Sequence, residues 1–102
     1  MTNQTTFFHN VYFWLNNNDD AQALANGCHK HLSGIPGVAR ISVGFPAGTE
    51  RSVVDNSYGV ALLVEFANAE AQNIYQEHPD HLRFISECSK YWKRVQVFDT
   101  VA

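Results

Sequence analysis

Apolar and polar positions fall into blocks separated by turn-forming residues. Phe7 to Leu15 is dense in aromatic and β-branched side chains and predicts a strand. Its alternate faces are Phe7, His9, Val11, Phe13, Leu15 and Phe8, Asn10, Tyr12, Trp14. Both are largely apolar, so the strand is expected to be covered on both sides. The polar run Asn16 to Asp20 ends it and supplies N-cap candidates. Ala21, Leu24, Ala25, Cys28, Leu32 and Ile35 then recur at helical spacing, and Gly34 and Pro36 stop that helix. A second strand is predicted from Val38 to Phe45, a loop from Pro46 to Ser57, and a third strand from Tyr58 to Phe66. In the third strand Tyr58, Val60, Leu62, Val64 and Phe66 share the bulky face. Asn68 can cap a short helix carrying Ala71, Ile74 and Tyr75. Pro79 interrupts that helix and is tolerated in the first turn of the next, whose predicted buried stripe is Leu82, Ile85 and Cys88. Val95, Val97 and Val101 alternate with Gln96, Phe98 and Thr100 in a fourth strand.

The order β-α-β-β-α-β predicts an α+β, ferredoxin-like fold: a four-stranded antiparallel sheet with helices on one face. The other face, with Tyr12, Trp14, Leu63 and Phe98, is too apolar to stay wet. Packing two such sheets face to face across a two-fold axis would bury it, so a homodimer is expected. The composition agrees. A chain of 102 residues makes one domain, with its core at about 7–101. Charged residues are 17%, below the usual ~25%, which leaves apolar surface to cover. A net charge of −3 with seven Lys+Arg argues against binding a nucleic-acid backbone. No apolar run approaches the roughly 18 residues of a membrane span. The polar N-terminus lacks the basic region of a signal peptide, so a cytoplasmic location is expected. Cys28 and Cys88 sit on apolar helical stripes and read as buried free thiols.

Candidate chemistry centres on histidine. His9 lies mid-strand among Phe7, Val11 and Phe13. It is either a core histidine hydrogen-bonded to backbone or a polar group in an apolar pocket, where desolvation would lower its pKa and keep it a neutral base. His78-Pro79-Asp80-His81, with Tyr75 just before it, is the densest polar constellation. A phenol that polarises a carbonyl and an imidazole that takes a proton suit proton abstraction next to a carbonyl. The same residues also read as structural, Tyr75 filling the core and His81 bonded to backbone. His78, His81 and Glu77, or Cys28, His29 and His31, lack zinc-site spacing, so no metal is expected. His29, Lys30 and His31 read as a surface cluster, and Asp99 as a loop or edge carboxylate. No nucleophile elbow, P-loop or dinucleotide-binding glycine motif is present.

Three segments carry a family likeness: Phe8-His9-Asn10-Val11-Tyr12-Phe13, Gly34-Ile35-Pro36-Gly37-Val38, and Tyr58…Val64-Glu65-Phe66 followed by Tyr75-Gln76-Glu77-His78-Pro79-Asp80-His81-Leu82-Arg83-Phe84. From about Phe8 to Asp99 the chain resembles the stress-responsive A/B barrel (Dabb) family. The resemblance implies a two-fold dimer whose two sheets form a shared barrel. The family includes stress proteins, proteins with no assigned activity, and a plant polyketide cyclase that works without cofactor. By motif position, that cyclase's catalytic tyrosine and histidine fall on Tyr75 and His81, and a pocket histidine on His9. A further histidine of the cyclase falls on Val60, and aromatic pocket residues of its first helix are replaced by Leu24 and Cys28. The expected function is binding of a small apolar or carbonyl-bearing molecule between helices and sheet. His9, Val11, Phe13, Leu24, Val60, Leu62 and His78 are expected to contact it, with Tyr75 and His81 as the candidate catalytic pair and no cofactor. The alternatives are a cyclase- or lyase-like enzyme, a cofactor-independent oxygenase, and a scaffold without activity.

Overall fold

A computed structural model describes residues 5–102. Strand β1 (Phe7–Leu15) leads through a 3-10 turn (Asn18–Asp20) into helix α1 (Ala21–Leu32). Strands β2 (Val38–Gly44) and β3 (Val60–Phe66) follow, then helices α2 (Ala69–Glu77) and α3 (Pro79–Cys88) and strand β4 (Trp92–Val101). The sheet order is β2-β3-β1-β4 with every neighbour antiparallel, which is the ferredoxin-like arrangement expected from the element order. Among the described residues no helix is long and apolar enough to cross a membrane.

Local sequence chemistry accounts for the boundaries. Asn68 caps α2 by accepting from the Ala71 N–H at 2.9 Å. His78 ends α2 in an extended conformation, and its Nδ1 then accepts from the Asp80 N–H at 3.0 Å, capping α3 ahead of Pro79. The turn between α1 and β2 needs Gly37, whose φ of 92° disfavours any side chain. At Gly27, in α1, a Cβ would fall 2.5 Å from Cys88 Sγ, so glycine sets how closely α1 and α3 approach.

The core lies between the helices and one sheet face. It combines Val11, Phe13 and Leu15 of β1 and Val60, Leu62, Val64 and Phe66 of β3 with Leu24, Cys28 and Leu32 of α1, together with Ile35, Tyr75 and Phe84. Both cysteines are buried free thiols, and burial pushes Cys28 up to about 12.

Several local expectations are corrected. The inward stripe of α3 is His81, Phe84 and Cys88, whereas Leu82 and Ile85 are exposed. On α2 the buried residues are Gln72 and Tyr75, and Ile74 is exposed. In each helix an aromatic ring that fits against the sheet sets the rotation, and a smaller aliphatic residue loses the inward position. His31 is buried and not on the surface: it packs under α3 with Nε2 2.5 Å from Glu87 Oε2. β2 ends at Gly44 and β3 starts at Val60. Tyr58 therefore escapes the alternation and stacks against Tyr12 and Trp14 on the open face, at 5.1 and 6.5 Å between centroids. β4 begins three residues earlier than its valine alternation indicates, and a register shift at Trp14/Leu15 pairs Leu15 with Trp92. That shift brings the Trp92 ring to the helix side, 4.9 Å from Phe13.

Candidate functional site

Alternation along β1 sends His9, Val11 and Phe13 toward the helices, and cross-strand pairing sets Val97 and Val95 beside Val11 and Phe13. The Pro79 break lets α2 and α3 present Tyr75 and His81 to the same space. These groups surround a cavity of about 230 Å³, completed by Leu62, Gln76, Phe84, Ile85 and Trp92. Of the residues expected at a ligand site, His9, Val11, Phe13, Leu62, Tyr75 and His81 line it. Leu24 and Val60 do not: both are fully buried core residues. His78 does not either, because its ring is committed to capping α3.

His9 pairs directly across the sheet with Asp99, and its Nδ1 lies 2.7 Å from Asp99 Oδ1. This corrects one reading of His9, that of a ring hydrogen-bonded to backbone. The carboxylate is on an edge strand as expected, yet it holds the imidazole, and the partner of His9 is a side chain where a backbone group was expected. With Nδ1–H donating to the carboxylate, Nε2 is left as the acceptor. Asp99 stays partly exposed at the sheet edge, so the buried ring connects to solvent through one carboxylate.

Tyr75 is 1% exposed, and its ring centroid is 4.7 Å from His81, 5.0 Å from Phe66 and 5.9 Å from His9. Burial, reinforced by the Cys28 thiol, pushes the Tyr75 phenol well above its ordinary range, so it remains a proton donor. His81 is buried, and its Nδ1 has no hydrogen-bond partner. Burial lowers its pKa, the Gln76 backbone opposes this, and the His9 charge adds to the lowering. His81 is thus held neutral, an acceptor beside a locked donor, in a mostly apolar surrounding.

The pH dependence follows from that direction. Below the ordinary histidine range, near pH 6.5, the unfolded chain takes up a proton that buried His81 resists. Its contribution to stability is therefore full above that range and is lost as pH falls. His81→Gln is expected to flatten this part of the stability–pH curve, measured by urea unfolding between pH 7.5 and 5. Equal slopes in both proteins would show that His81 titrates freely in the fold.

The signal that could have located Asp99 is its parity with Val95, Val97 and Val101: a lone charge in an inward-facing set. Phe84 and Trp92 gave no such signal, since helix rotation and the register shift place them. Among the described residues, no group of three or more His, Cys, Asp or Glu is arranged to hold a metal ion. A second recess, about 480 Å³, lies on the opposite sheet face among Tyr12, Trp14, Asp55, Tyr58, Arg94, Gln96 and Phe98. There the Arg94 guanidinium sits 4.1 Å from the Trp14 ring centroid.

Solved structures share this architecture. A Dabb family protein with a ferredoxin-like fold from Mesorhizobium loti is 24% identical, with a TM-score of 0.79 over 97% of this chain and 98% of that one. A dimeric ferredoxin-like protein of unknown function from Thermobifida fusca is 15% identical, with a TM-score of 0.77 over 100% and 95%. A hydroxynitrile lyase from Passiflora edulis is 13% identical, with a TM-score of 0.76 over 95% and 93%. No curated protein matches the sequence. The stress-responsive A/B barrel domain matches residues 7–102, from the first residue of β1 to the end of the chain, and the protein belongs to that family.

Proposed function

We propose that the protein is a homodimer, joined through its open sheet faces, in which each subunit binds a small, largely apolar, carbonyl-bearing molecule in the cavity between helices and sheet. The observation that carries the binding reading is the pairing of a locked donor, Tyr75, with a neutral, unpartnered acceptor, His81, in an apolar cavity. A carbonyl oxygen can accept from the phenol while the rest of the molecule contacts Val11, Phe13 and Leu62. The dimer is supported by the aromatic open face, which carries Tyr12, Trp14, Tyr58 and Phe98, and by the dimeric description of the Thermobifida fusca protein.

A second reading, cofactor-free proton transfer, is favoured by the His9–Asp99 pair. In it Tyr75 donates a hydrogen bond to a carbonyl oxygen. His81 takes a proton from the adjacent carbon, and the electron pair of that C–H bond moves through the carbonyl onto its oxygen, giving an enolate that the Tyr75 hydrogen bond stabilises. The proton on His81 then returns to the product or to solvent, while Asp99 fixes the His9 ring beside Tyr75. The hydroxynitrile lyase of similar fold supports a lyase-like outcome by analogy only.

Native mass spectrometry on gently purified protein, followed by titration with acetophenone, tests the proposal. Expected are a mass of twice 11.5 kDa and quenching of Trp92 in a Trp14→Phe variant at sub-millimolar ketone. A dimer that takes up no ketone and retains no small molecule would point to the scaffold reading. A monomer would remove the shared barrel.

A further inference from the structure

We propose that His78 is a positioning residue for the cavity: by capping α3 it leaves the Gln76 carbonyl free to hold the His81 ring, and so fixes which nitrogen of that ring meets a ligand. This deepens the binding reading above and rests on it. The segment His78-Pro79-Asp80-His81 spans the junction of α2 and α3. In an unbroken helix each N–H donates to the carbonyl four residues back, so the Asp80 N–H would close on Gln76. Pro79 has no N–H, and the residue before a proline is driven from the helical region. His78 accordingly sits at φ −65° and ψ 139°, and the hydrogen bonds are rerouted. The His78 N–H donates to the Tyr75 carbonyl at 3.2 Å, and the Leu82 N–H to the His78 carbonyl at 3.1 Å. The Asp80 N–H donates to His78 Nδ1 at 3.0 Å.

That last bond sets the state of the His78 ring. A backbone nitrogen always carries its hydrogen, so Nδ1 supplies the lone pair and the ring's own hydrogen is on Nε2. The Asp80 carboxylate does not compete. Its Oδ2 is 3.9 Å from Nδ1, beyond hydrogen-bond length, and its Oδ1 lies 3.4 Å from Arg83 Nη1. With the Asp80 N–H taken, the Gln76 carbonyl at the end of α2 is left for a side chain. Gln76 and His81 both line the cavity. The Gln76 backbone raises the pKa of His81 against its burial, as a carbonyl that accepts from the ring does.

A neutral imidazole has one N–H and one lone pair, and the group that takes the N–H decides which nitrogen keeps the lone pair. With the N–H held at Gln76, the lone pair stays on Nδ1, which is buried and has no partner. The opposite tautomer would turn a second donor toward the Tyr75 hydroxyl and leave the cavity without an acceptor. His78 does this from outside the cavity lining. Cap, proline, capped N–H and cavity histidine follow one another in the chain, which gives the spacing of this segment a physical purpose.

Two variants separate the cap from the imidazole that makes it. His78→Ala removes the acceptor. His78→Asn replaces it with one this chain uses elsewhere, where Asn17 Oδ1 accepts from the Asp19 N–H at 2.9 Å. The first measurement needs no ligand: the imidazole nitrogen shifts of His81 by NMR at neutral pH, assigned with His81→Gln. One tautomer is expected in wild type and in His78→Asn, and a mixture in His78→Ala. The second compares α-hydroxyacetophenone, whose hydroxyl can donate to His81, with acetophenone, which has no such donor. His78→Ala is expected to weaken the hydroxyketone about tenfold and acetophenone less than about threefold, with His78→Asn close to wild type for both. Equal loss of the two ketones, an asparagine variant that behaves like alanine, or a wild-type His81 that already mixes tautomers would overturn the positioning role. The wild-type measurement stands whether or not the alanine variant folds. A wild type that binds neither ketone, with the tautomers as expected, would remove the binding reading and leave His78 as the residue that sets His81.

Discussion

Phe66→Ala is expected to lower the unfolding free energy by about 3–5 kcal/mol, the usual cost of removing a fully buried aromatic ring. For a domain of this size, each kcal/mol corresponds to about 4–8 °C in Tm. Phe66 closes the end of β3, 5.0 Å from Tyr75 and 6.2 Å from Phe7 between ring centroids. Its removal takes away transfer free energy and leaves a hole beneath Tyr75 that the backbone of β3, paired on both sides, cannot collapse to fill. Urea unfolding of both proteins measures the difference. A loss below about 1 kcal/mol would mean that neighbouring side chains repack into the space, and that the position of Tyr75 is set by the helices alone. Because Tyr75 rests on this ring, the variant should also bind acetophenone more weakly than its residual folded fraction accounts for.

Tyr75→Phe separates the polar role of the phenol from its packing role. The substitution keeps the ring and its contacts with Phe66 and His81 and removes only the hydroxyl. Stability is expected to stay within about 1 kcal/mol of wild type. Acetophenone affinity should drop about tenfold, the worth of one buried hydrogen bond to a carbonyl. A ligand without a carbonyl, such as ethylbenzene, should bind both proteins alike. Equal loss for the two ligands would mean that the phenol shapes the cavity and donates nothing. Should a turnover reaction be found, the same variant is expected to lower kcat by about 10²–10⁴, the range for a positioned acid or base. Asp99→Asn should act differently. Asp99 touches no ligand in this arrangement and would act only through the orientation of the His9 ring.

The two histidines of the cavity have different roles because their neighbours differ. His9 has a carboxylate across the sheet, whereas His81 has a tyrosine face, an unpaired Nδ1 and apolar walls. The first ring is oriented by a carboxylate, and the second is held neutral by burial. Both kinds of site recur in acid–base enzymes, and both also suit a binding pocket that orients one carbonyl.

What can be read from the sequence alone depends on local rules. Strand alternation, helical spacing, the Asn68 cap and the Pro79 break each act within a few residues, and together they predict β-α-β-β-α-β and the antiparallel ferredoxin-like sheet. The family-bearing segments likewise lie along single stretches of chain, which is why His9, Tyr75 and His81 stand out as one group in the sequence itself. The remaining features come from contacts between distant segments. Asp99 meets His9 only through the β1–β4 register, ninety positions apart in the chain. Trp92 reaches the cavity through a register shift, and Phe84 through a helix rotation that sends Leu82 and Ile85 outward. His31 looks like a surface residue until α3 packs over it and brings Glu87 alongside. The sequence by itself determined the order and type of the elements, because hydrogen bonding and side-chain period are local. The tertiary structure alone decided the partners of the polar groups and the walls of the cavity, because register, bulge and helix rotation are settled by which large side chains fill the shared core.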